Sequence, residues 1–259
     1  MLNDIMEEFT FGANFSRLYQ GDCLQIMQAI EAGSIDLVLT DPPYGTTACK
    51  WDTVIPLEPL WEQLKRVRQP NAAIVLTATQ PFTSMLVASN LKEFRYCWIW
   101  DKQVGRGHLV AKKRPMARHE DVCVFYGKPP TYAPQMTKRE KPIRGKEGKR
   151  TLIMGGESSG YEAVYEYKYP QTIISIPSEG NANKLHPTQK PVALMEYLIK
   201  TYTKEGDTVL DFTMGSGTTG VACKRLGRHF VGVELDKNYF RVAKERIMAT
   251  PAREASNAE

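Results

Sequence analysis

The segment from residue 209 to residue 234 constrains the fold of this chain more than any other. An apolar strand runs into three glycines with G-x-G-x-x-G spacing, Gly215, Gly217 and Gly220, and a helix and a second strand follow them. Glycines allow a tight turn and a close approach to a ligand, and a helix N-terminus favours polar or anionic groups. A strand, a glycine turn, a helix and a second strand are typical of a parallel α/β sheet.

The acid that ends the second strand indicates the kind of ligand. Glu234 follows the glycines by about 20 residues, where an acidic side chain is placed to bind ribose hydroxyls, and Asp236 is the second choice. By itself the segment predicts a nucleotide-like cofactor, for which NAD is the default. An ordinary strand–turn–helix unit without a ligand is the alternative.

A second motif, Asp41-Pro42-Pro43-Tyr44, follows the apolar run 35–40, which predicts a buried strand. Two prolines exclude a helix and stiffen the backbone, so a carboxylate, a proline carbonyl and an aromatic ring are held at the strand end. The carboxylate and the carbonyl can accept the two N–H bonds of an exocyclic amino group, and the ring can stack on a planar base. A Pro-Pro turn with a packing tyrosine is the alternative for the tetrapeptide alone.

Length and composition predict one domain, residues 1–259, with a substantial core, since 42% of the residues are hydrophobic. The sequence has no run of 18 apolar residues and no basic-then-apolar N-terminal signal pattern, so neither a membrane span nor a secretory leader is expected. Five scattered cysteines without a C-x-x-C pair favour reduced thiols in the cytoplasm and no metal site.

The positive charge of the chain is concentrated in one segment. Residues 102–150 contain 14 Lys and Arg against 4 Asp and Glu, whereas the remainder has 20 basic and 25 acidic residues. Basic residues interleaved with glycines and aromatics favour a nucleic-acid contact, and a solvated lysine-rich loop is the alternative. The predicted contacts in this segment are Arg106, His108, Lys112, Lys113, Arg114 and His119.

Hydrophobic patterning predicts alternating strands and helices. Strands are expected at 17–21, 35–40, 72–77, 94–100 and 122–126, and helices at 22–32, 59–68 and 81–90. Residues 127–183 form an irregular insertion with short strands at 163–168 and 172–176; alternation resumes from 190 to 248, and a frayed tail covers 251–259. The result is a doubly wound, mostly parallel α/β sheet. Ligands bind outside the carboxyl ends of such strands, so both motifs are expected at one edge of the sheet.

With both motifs identified, the chain resembles the DNA amino-methyltransferases that use S-adenosylmethionine. The order of the DPPY motif, the basic region and the glycine motif resembles the β group of that family. Three further elements match the family: residues 186–191 (His-Pro-Thr-Gln-Lys-Pro), residues 19–23 (Tyr-Gln-Gly-Asp-Cys) and residues 119–121 (His-Glu-Asp). The last of these resembles the family element that lines the target pocket. The resemblance covers most of the chain and implies a Rossmann-like methyltransferase fold, with residues 102–183 as the DNA-contacting and target-recognition region.

The resemblance also implies the site. Catalytic residues would be Asp41, Pro42, Pro43 and Tyr44. Cofactor-binding residues would be Asp22, Cys23, Asp41, Thr188, Lys190, Asp211, Phe212, Gly215, Ser216, Gly217, Thr218, Thr219 and Glu234. The family has Asp-Pro-Phe before the first glycine, whereas this chain has Asp211-Phe212-Thr213-Met214. The aromatic contact of the family is therefore not transferred to Thr213.

The implied reaction begins with rotation of the target base out of duplex DNA. Tyr44 would stack on the base while Asp41 and Pro42 accept hydrogen bonds from its amino group, and the methyl group would transfer directly, with no metal. Lys50 and Trp51 are further candidate DNA contacts. An aspartate at the first motif position favours adenine N6 over cytosine N4. Cytosine C5 is disfavoured because no cysteine follows a proline.

Several alternatives remain open at this stage. The substrate could be RNA or a protein glutamine, since a primary amide has the same two donors. The glycine motif alone would suit an NAD-dependent oxidoreductase, and a catalytically inactive DNA-binding module is a third hypothesis. The resemblance further predicts a bacterial or phage-encoded enzyme of restriction–modification type, cytoplasmic and nucleoid-associated. Double-stranded DNA is the expected partner, and a homodimer is a further candidate assembly.

Overall fold

The structure is a computed structural model that describes residues 6–47, 49, 52–144, 164–180, 185–186 and 188–253. Lys50 and Trp51, the two predicted DNA contacts after Tyr44, lie outside the described residues. The chain divides into two compact units, the first comprising residues 1–133 and 172–259 and the second comprising residues 134–171. The prediction of a single domain over 1–259 stays a prediction.

Eleven strands are formed by the described residues. They are β1 (Met6–Phe11), β2 (Asn14–Gln20), β3 (Ile35–Thr40), β4 (Arg68–Ala78), β5 (Phe94–Arg106), β6 (Ala117–Phe125), β7 (Thr137–Arg144), β8 (Val164–Lys168), β9 (Ile173–Ser175), β10 (Thr208–Asp211) and β11 (His229–Glu234). In the first unit, nine of these make one sheet in the order β1-β2-β11-β10-β3-β4-β6-β5-β9. The five strands from β2 to β4 in this order are parallel, and β1, β6 and β5 add antiparallel pairings.

Helices cover both faces of this sheet. They are α1 (Cys23–Met27), α2 (Leu57–Val67), α3 (Phe82–Ser89), α4 (Val192–Tyr202), α5 (Thr218–Leu226) and α6 (Lys237–Ala249). One core contains buried side chains of α4, α5 and α6, and the other contains those of α1, α2 and α3. Adjacent residues of the central strands divide between the two, as Val209 and Leu210 do. The predicted doubly wound, mostly parallel α/β fold is therefore confirmed.

The strand order reverses between β3 and β10. From β3 the chain continues through α2 to β4 on one side, and from β10 it continues through α5 to β11 on the other. Such a reversal opens a crevice at the carboxyl ends of the two strands, which is where ligands bind in open α/β sheets. β3 ends immediately before Asp41, and β10 ends at Asp211. Both motifs found in the sequence therefore lie at this crevice.

The three glycines of the glycine motif are required for different structural reasons. Gly215 and Gly217 have φ angles of +52° and +77°, which side chains with a Cβ rarely adopt. Gly220 lies within α5, where a Cβ would stand 2.4 Å from Ile247 Cδ1 and 2.7 Å from Phe230 Cε1. The first two glycines thus shape the turn, and the third allows α5 to pack against β11 and α6.

The main corrections concern two predicted elements and two strands, β1 and β7, that were not predicted. The strand predicted at 17–21 begins at Asn14, because Gly12 (φ +59°) and Ala13 turn the chain back and pair β2 with β1, which was not predicted. The helix predicted at 22–32 begins after the N-cap Asp22 as expected but ends at Met27. In the second unit, β7 pairs antiparallel with β8, and β7 was not predicted because its polar, fully or partly exposed sequence lacks a hydrophobic pattern. No helix in the described part of the chain is long and apolar enough to cross a bilayer.

Candidate active site

A cavity of about 750 Å³ lies at the crevice of the first unit. Its walls come from the carboxyl ends of β2, β3, β10 and β11, from the loop after Tyr44, and from the segment before α4. The size is within the usual range for sites that enclose small ligands and cofactors. Residues of both sequence motifs, Asp41 to Tyr44 and Asp211 to Ser216, share this one cavity.

Side-chain hydroxyls join the two motifs directly. Thr40 Oγ1, at the end of β3, donates to Asp211 Oδ1 at 3.1 Å and accepts from the backbone N–H of Phe212 at 3.1 Å. Thr213 Oγ1 donates to the backbone carbonyl of Asp41 at 3.1 Å. The residue that departs from the family pattern, Thr213, therefore fixes the backbone of the DPPY motif, while Phe212 lines the cavity from a largely buried position in the core.

The carboxylate of Asp41 is held from several sides. Its Oδ2 accepts a hydrogen bond from Lys190 Nζ at 2.6 Å. Its Oδ1 accepts from the Tyr44 hydroxyl at 2.6 Å and from the Thr77 hydroxyl. The Tyr44 ring stacks on Phe82, with ring centroids 5.4 Å apart. These contacts leave the carboxylate at the cavity wall with its orientation fixed.

The loop after the motif is wrapped around one buried carboxylate. Asp52 accepts backbone N–H bonds from Tyr44, Gly45, Thr46 and Thr47 at 2.7 to 2.9 Å. Burial alone would raise the pKa of Asp52, but hydrogen bonds from Thr47, Gly45 and Tyr44 lower it below its ordinary value. Asp52 thus stays ionised and fixes the backbone from Tyr44 onward.

The glycine loop is attached to the end of β11. Glu234 Oε2 accepts the backbone N–H of Gly215 at 2.8 Å, and Oε1 accepts that of Asp236 at 2.8 Å. Burial raises the pKa of Glu234 above its ordinary value. Because each carboxylate oxygen can accept more than one hydrogen bond, the side chain can hold the loop and still accept from a ligand in the cavity.

Residues 35–245 match the N6_N4_Mtase family, described as DNA methylase. The chain belongs to this family. The predictions of a DNA amino-methyltransferase and of S-adenosylmethionine as its cofactor are thereby confirmed, and the alternative of an NAD-dependent oxidoreductase is set aside.

Two relatives of this DNA methylase match different shares of its length. Type II methyltransferase M.HpaI of Haemophilus parainfluenzae is 30% identical over 246 residues, which are 89% of this chain and 74% of the relative. Type II methyltransferase M2.DpnII of Streptococcus pneumoniae is 55% identical over 64 residues, 25% of this chain and 24% of the relative.

Two solved structures share the fold. The structure of an M1.HpyAVI–SAM complex aligns with a TM-score of 0.60 at 24% identity, covering 89% of this chain and 99% of that one. PvuII DNA methyltransferase (cytosine-N4-specific) aligns with a TM-score of 0.65 at 17% identity, covering 94% of this chain and 88% of that one. At these identities the likeness concerns the fold alone.

Within this DNA methylase, every residue predicted to be catalytic or to bind cofactor lines the cavity except Gly217, which turns the chain beneath it. Several also have partners within the protein. Asp22 caps α1 by accepting from Gln25 N at 3.1 Å, Thr219 Oγ1 donates to Asp211 Oδ2 at 2.6 Å, and Ser216 Oγ donates to Gln189 at 3.1 Å. Their assigned roles stay predictions.

The predicted DNA contacts that the structure describes lie on the β5–β6 hairpin. This hairpin continues past the last β4–β6 pair, Ala78 with Asp121, as far as the pair Arg106 with Ala117. It therefore projects beyond the sheet edge that carries the cavity. The exposed predicted contacts are His108, Lys112, Lys113, Arg114 and His119, whereas Arg106 is half-buried and donates to Ser178 Oγ at 2.9 Å.

Residues 119–121 do not line the cavity, in contrast to the expectation of a target-pocket element. Glu120 instead pairs with Lys102 and Lys190, and Asp121 accepts from the Thr83 hydroxyl at 2.7 Å. Sequence reasoning also missed Thr77 and Asp52 as partners of the DPPY motif. A buried-strand threonine and an aspartate eight residues after a tyrosine give no signal of their own, because only the fold brings them to Asp41 and Tyr44.

The stability of the DNA methylase is expected to depend on Asp211. Burial raises the pKa of this carboxyl to about 7 from 3.8, against the hydrogen bonds from Thr219, Thr213 and Thr40, which lower it. The folded protein then keeps a proton that the unfolded chain releases between about pH 4 and pH 7, so the free energy of unfolding falls as pH rises through that window. Melting temperatures between about pH 5 and pH 7.5 should fall less steeply in Asp211→Asn than in the wild type. Parallel melting curves would contradict this assignment.

Proposed function

We propose that this protein transfers the methyl group of S-adenosylmethionine to N6 of an adenine that has been rotated out of duplex DNA. The observation that supports this most is the junction of the two motifs: the Asp41 backbone accepts from Thr213, and both motifs line one cavity. An amino-group acceptor and a nucleotide-cofactor loop in one cavity suit direct transfer between the two ligands.

The cavity residues fit the cofactor. Gly215 offers an open approach, since a Cβ there would meet nothing nearer than His186 at 4.0 Å. We assign Glu234 to the ribose hydroxyls and Asp22 to the adenine end, since both line the cavity, and Ser216 and Thr218 lie just before and at the start of α5. When bound, S-adenosylmethionine supplies a methyl group on a sulfonium, which is a strong electrophile. The task of the protein residues is to hold and orient the acceptor nitrogen.

The DPPY motif would bind the target amino group. One N–H would donate to Asp41 and the other to the Pro42 carbonyl, which draws the nitrogen lone pair out of conjugation with the ring. The Tyr44 hydroxyl donates a hydrogen bond to Asp41 Oδ1 in the structure. We propose that the incoming amino group replaces this hydroxyl as the donor and that the Tyr44 ring then turns onto the base. Bound S-adenosylmethionine would supply the methyl group and leave as the uncharged thioether, while Asp41 and the Pro42 carbonyl would hold the acceptor nitrogen, whose displaced proton would pass to solvent.

Adenine is preferred over cytosine because Asp41 occupies the first motif position, as in the adenine-N6 members that the chain resembles. M.HpaI and M2.DpnII carry the name of type II methyltransferases, which supports methylation at a specific sequence in a restriction–modification setting. The basic hairpin, within the proposed DNA-contacting region 102–183, would hold the duplex by its phosphates. A homodimer stays a prediction.

Product analysis tests the proposal directly. Purified protein is incubated with methyl-labelled S-adenosylmethionine and bacterial genomic DNA, and the DNA is digested to nucleosides. We expect the label in N6-methyldeoxyadenosine. Label in N4-methyldeoxycytidine would contradict the base assignment, and label in added RNA or protein with none in DNA would contradict the substrate.

The role of Asp41 is tested by Asp41→Asn. Asparagine keeps the shape but has one acceptor oxygen and no charge, so the methyl-transfer rate should fall by about 100- to 1,000-fold. Binding of S-adenosylmethionine, measured by calorimetry, should change little. The matched control is Asp36→Asn in β3, whose carboxylate accepts from Thr208 N at the end of the strand farther from Asp41. A rate near that of the wild type in Asp41→Asn would remove Asp41 from the mechanism.

The hairpin is tested by the salt dependence of DNA binding. Replacing Lys112, Lys113 and Arg114 by glutamine should weaken binding and reduce the slope of log affinity against log salt by up to about 0.9 for each phosphate that the protein no longer neutralises. The matched control replaces a second trio of basic residues, at the other end of the same hairpin: Lys92, Arg95 and Lys128. Equal slopes in the two triple variants would show that the tip does not bind phosphates.

A further inference from the structure

Four charged side chains lie in a row behind the catalytic motif. Lys102 Nζ is 3.0 Å from Glu120 Oε1, Glu120 Oε2 is 3.2 Å from Lys190 Nζ, and Lys190 Nζ is 2.6 Å from Asp41 Oδ2. The row therefore alternates in charge and ends on the carboxylate that the DPPY motif presents to the cavity. It brings together the base of the β5–β6 hairpin, the segment before α4 and the end of β3.

This row is largely removed from solvent. The side chains of Lys190 and Lys102 are 6% and 10% exposed, and those of Glu120 and Asp41 are 16% and 22% exposed. Removing a charge from water is unfavourable unless an opposite charge compensates for it, and deleting one member of a buried pair leaves the other uncompensated. Two ammonium groups and two carboxylates balance here, so each member depends on its neighbours.

Lys190 occupies the middle of the row. Burial lowers the pKa of its ammonium, but Asp41 and Glu120 raise it to a value above the ordinary one. Burial raises the pKa of Glu120, but Lys190 and Lys102 lower it below the ordinary one. Both groups are therefore charged at neutral pH. Neither Glu120 nor Lys102 is among the described residues that line the cavity.

The geometry points to Lys190 as a positioning residue for Asp41, with Glu120 acting through Lys190. This inference rests on the proposed function. It gives Lys190 a role that differs from the cofactor contact predicted from its place in the His-Pro-Thr-Gln-Lys-Pro element. The ammonium fixes Oδ2 of the carboxylate, which leaves Oδ1 as the acceptor that faces the amino group.

Glu120 attracts the Lys190 ammonium as a second carboxylate besides Asp41. Without it, Lys190 would have Asp41 as its sole anionic partner in the row and would be drawn toward it, while Lys102 would lose its carboxylate. Glu120 Oε2 is buried and has no aligned hydrogen bond among the described residues, although it lies within ion-pair distance of Lys190. Its contact with Lys190 is an ion pair, so the ammonium is restrained by a second carboxylate besides Asp41.

The first test is Lys190→Met, which keeps the length of the side chain and removes its charge. Single-turnover methyl transfer should slow by about 100-fold, since small misplacements of reacting groups have effects of that size. The dissociation constant for S-adenosylmethionine, measured by calorimetry without DNA, should stay within about threefold, a change of less than 1 kcal/mol. A loss of cofactor affinity as large as the loss of rate would overturn the inference, and so would an unchanged rate.

The second test is a cycle of Glu120→Gln, Lys190→Met and the double variant. If Glu120 acts through Lys190, its substitution slows transfer in the wild type and has no further effect in Lys190→Met. Additive effects on the rate would contradict this. The matched control is Glu93→Gln, which breaks the buried Arg68–Glu93 pair (2.6 Å) at the opposite end of the sheet and should lower the melting temperature without changing the rate.

The third test uses the protein without ligands, so that it does not depend on catalysis. Melting temperatures of Asp41→Asn, Lys190→Met and their double variant should show coupling, because each single variant leaves a buried charge with fewer partners. Independent effects would contradict the pairing. If Lys190→Met fails to fold, Glu120→Gln alone decides the inference, by slowing transfer at unchanged cofactor affinity or failing to do so. Absence of DNA methylation by the wild type would contradict the proposed function, and the ligand-free coupling would still be measured.

Discussion

The hydrogen bonds between the ends of β3 and β10 are the interactions on which the rest of the site depends. Thr40 links to Asp211 and Phe212, and Thr213 links to the carbonyl of Asp41, so two motifs separated by about 170 residues share one wall. The reversal of strand order puts both strand ends at one crevice. The hydroxyls then fix the distance between the acceptor carboxylate and the glycine loop, which a direct transfer between two bound ligands requires.

The site also depends on how its buried carboxyl groups are compensated. Asp41 and Asp211 stand at the ends of adjacent strands, yet their surroundings differ: Asp41 has the ammonium of Lys190, whereas Asp211 has hydroxyl and amide donors and a pKa raised to about 7 by burial. One carboxyl is thereby compensated by a cation and the other by neutral dipoles. Glu120 extends the ionic side toward the base of the hairpin, so the basic hairpin and the DPPY motif meet in one set of charges.

The sequence predicted the parts of the fold that carry strong hydrophobic patterns. The central strands and the place of both motifs followed from apolar runs, prolines and glycines. β7 was missed because an exposed, polar strand lacks that pattern, and β1 was missed because its apolar residues, Met6, Phe9 and Phe11, do not alternate throughout. The lining of the cavity was largely predictable, since motif residues sit at strand ends. The partners of Asp41 were not, because Thr77 and Lys190 are separated from it by 36 and 149 residues and only the fold joins them.

The proposed reaction requires the cofactor and the target base to lie next to each other in the cavity, and a bisubstrate ligand measures this adjacency most directly. A compound that links adenine N6 covalently to the sulfonium position of the cofactor spans the cavity only if both half-sites face each other. Its affinity, determined by calorimetry, should exceed that of the cofactor half alone by at least about 100-fold, since the second half binds as part of the same molecule. An affinity no greater than that of the cofactor half would contradict the shared site.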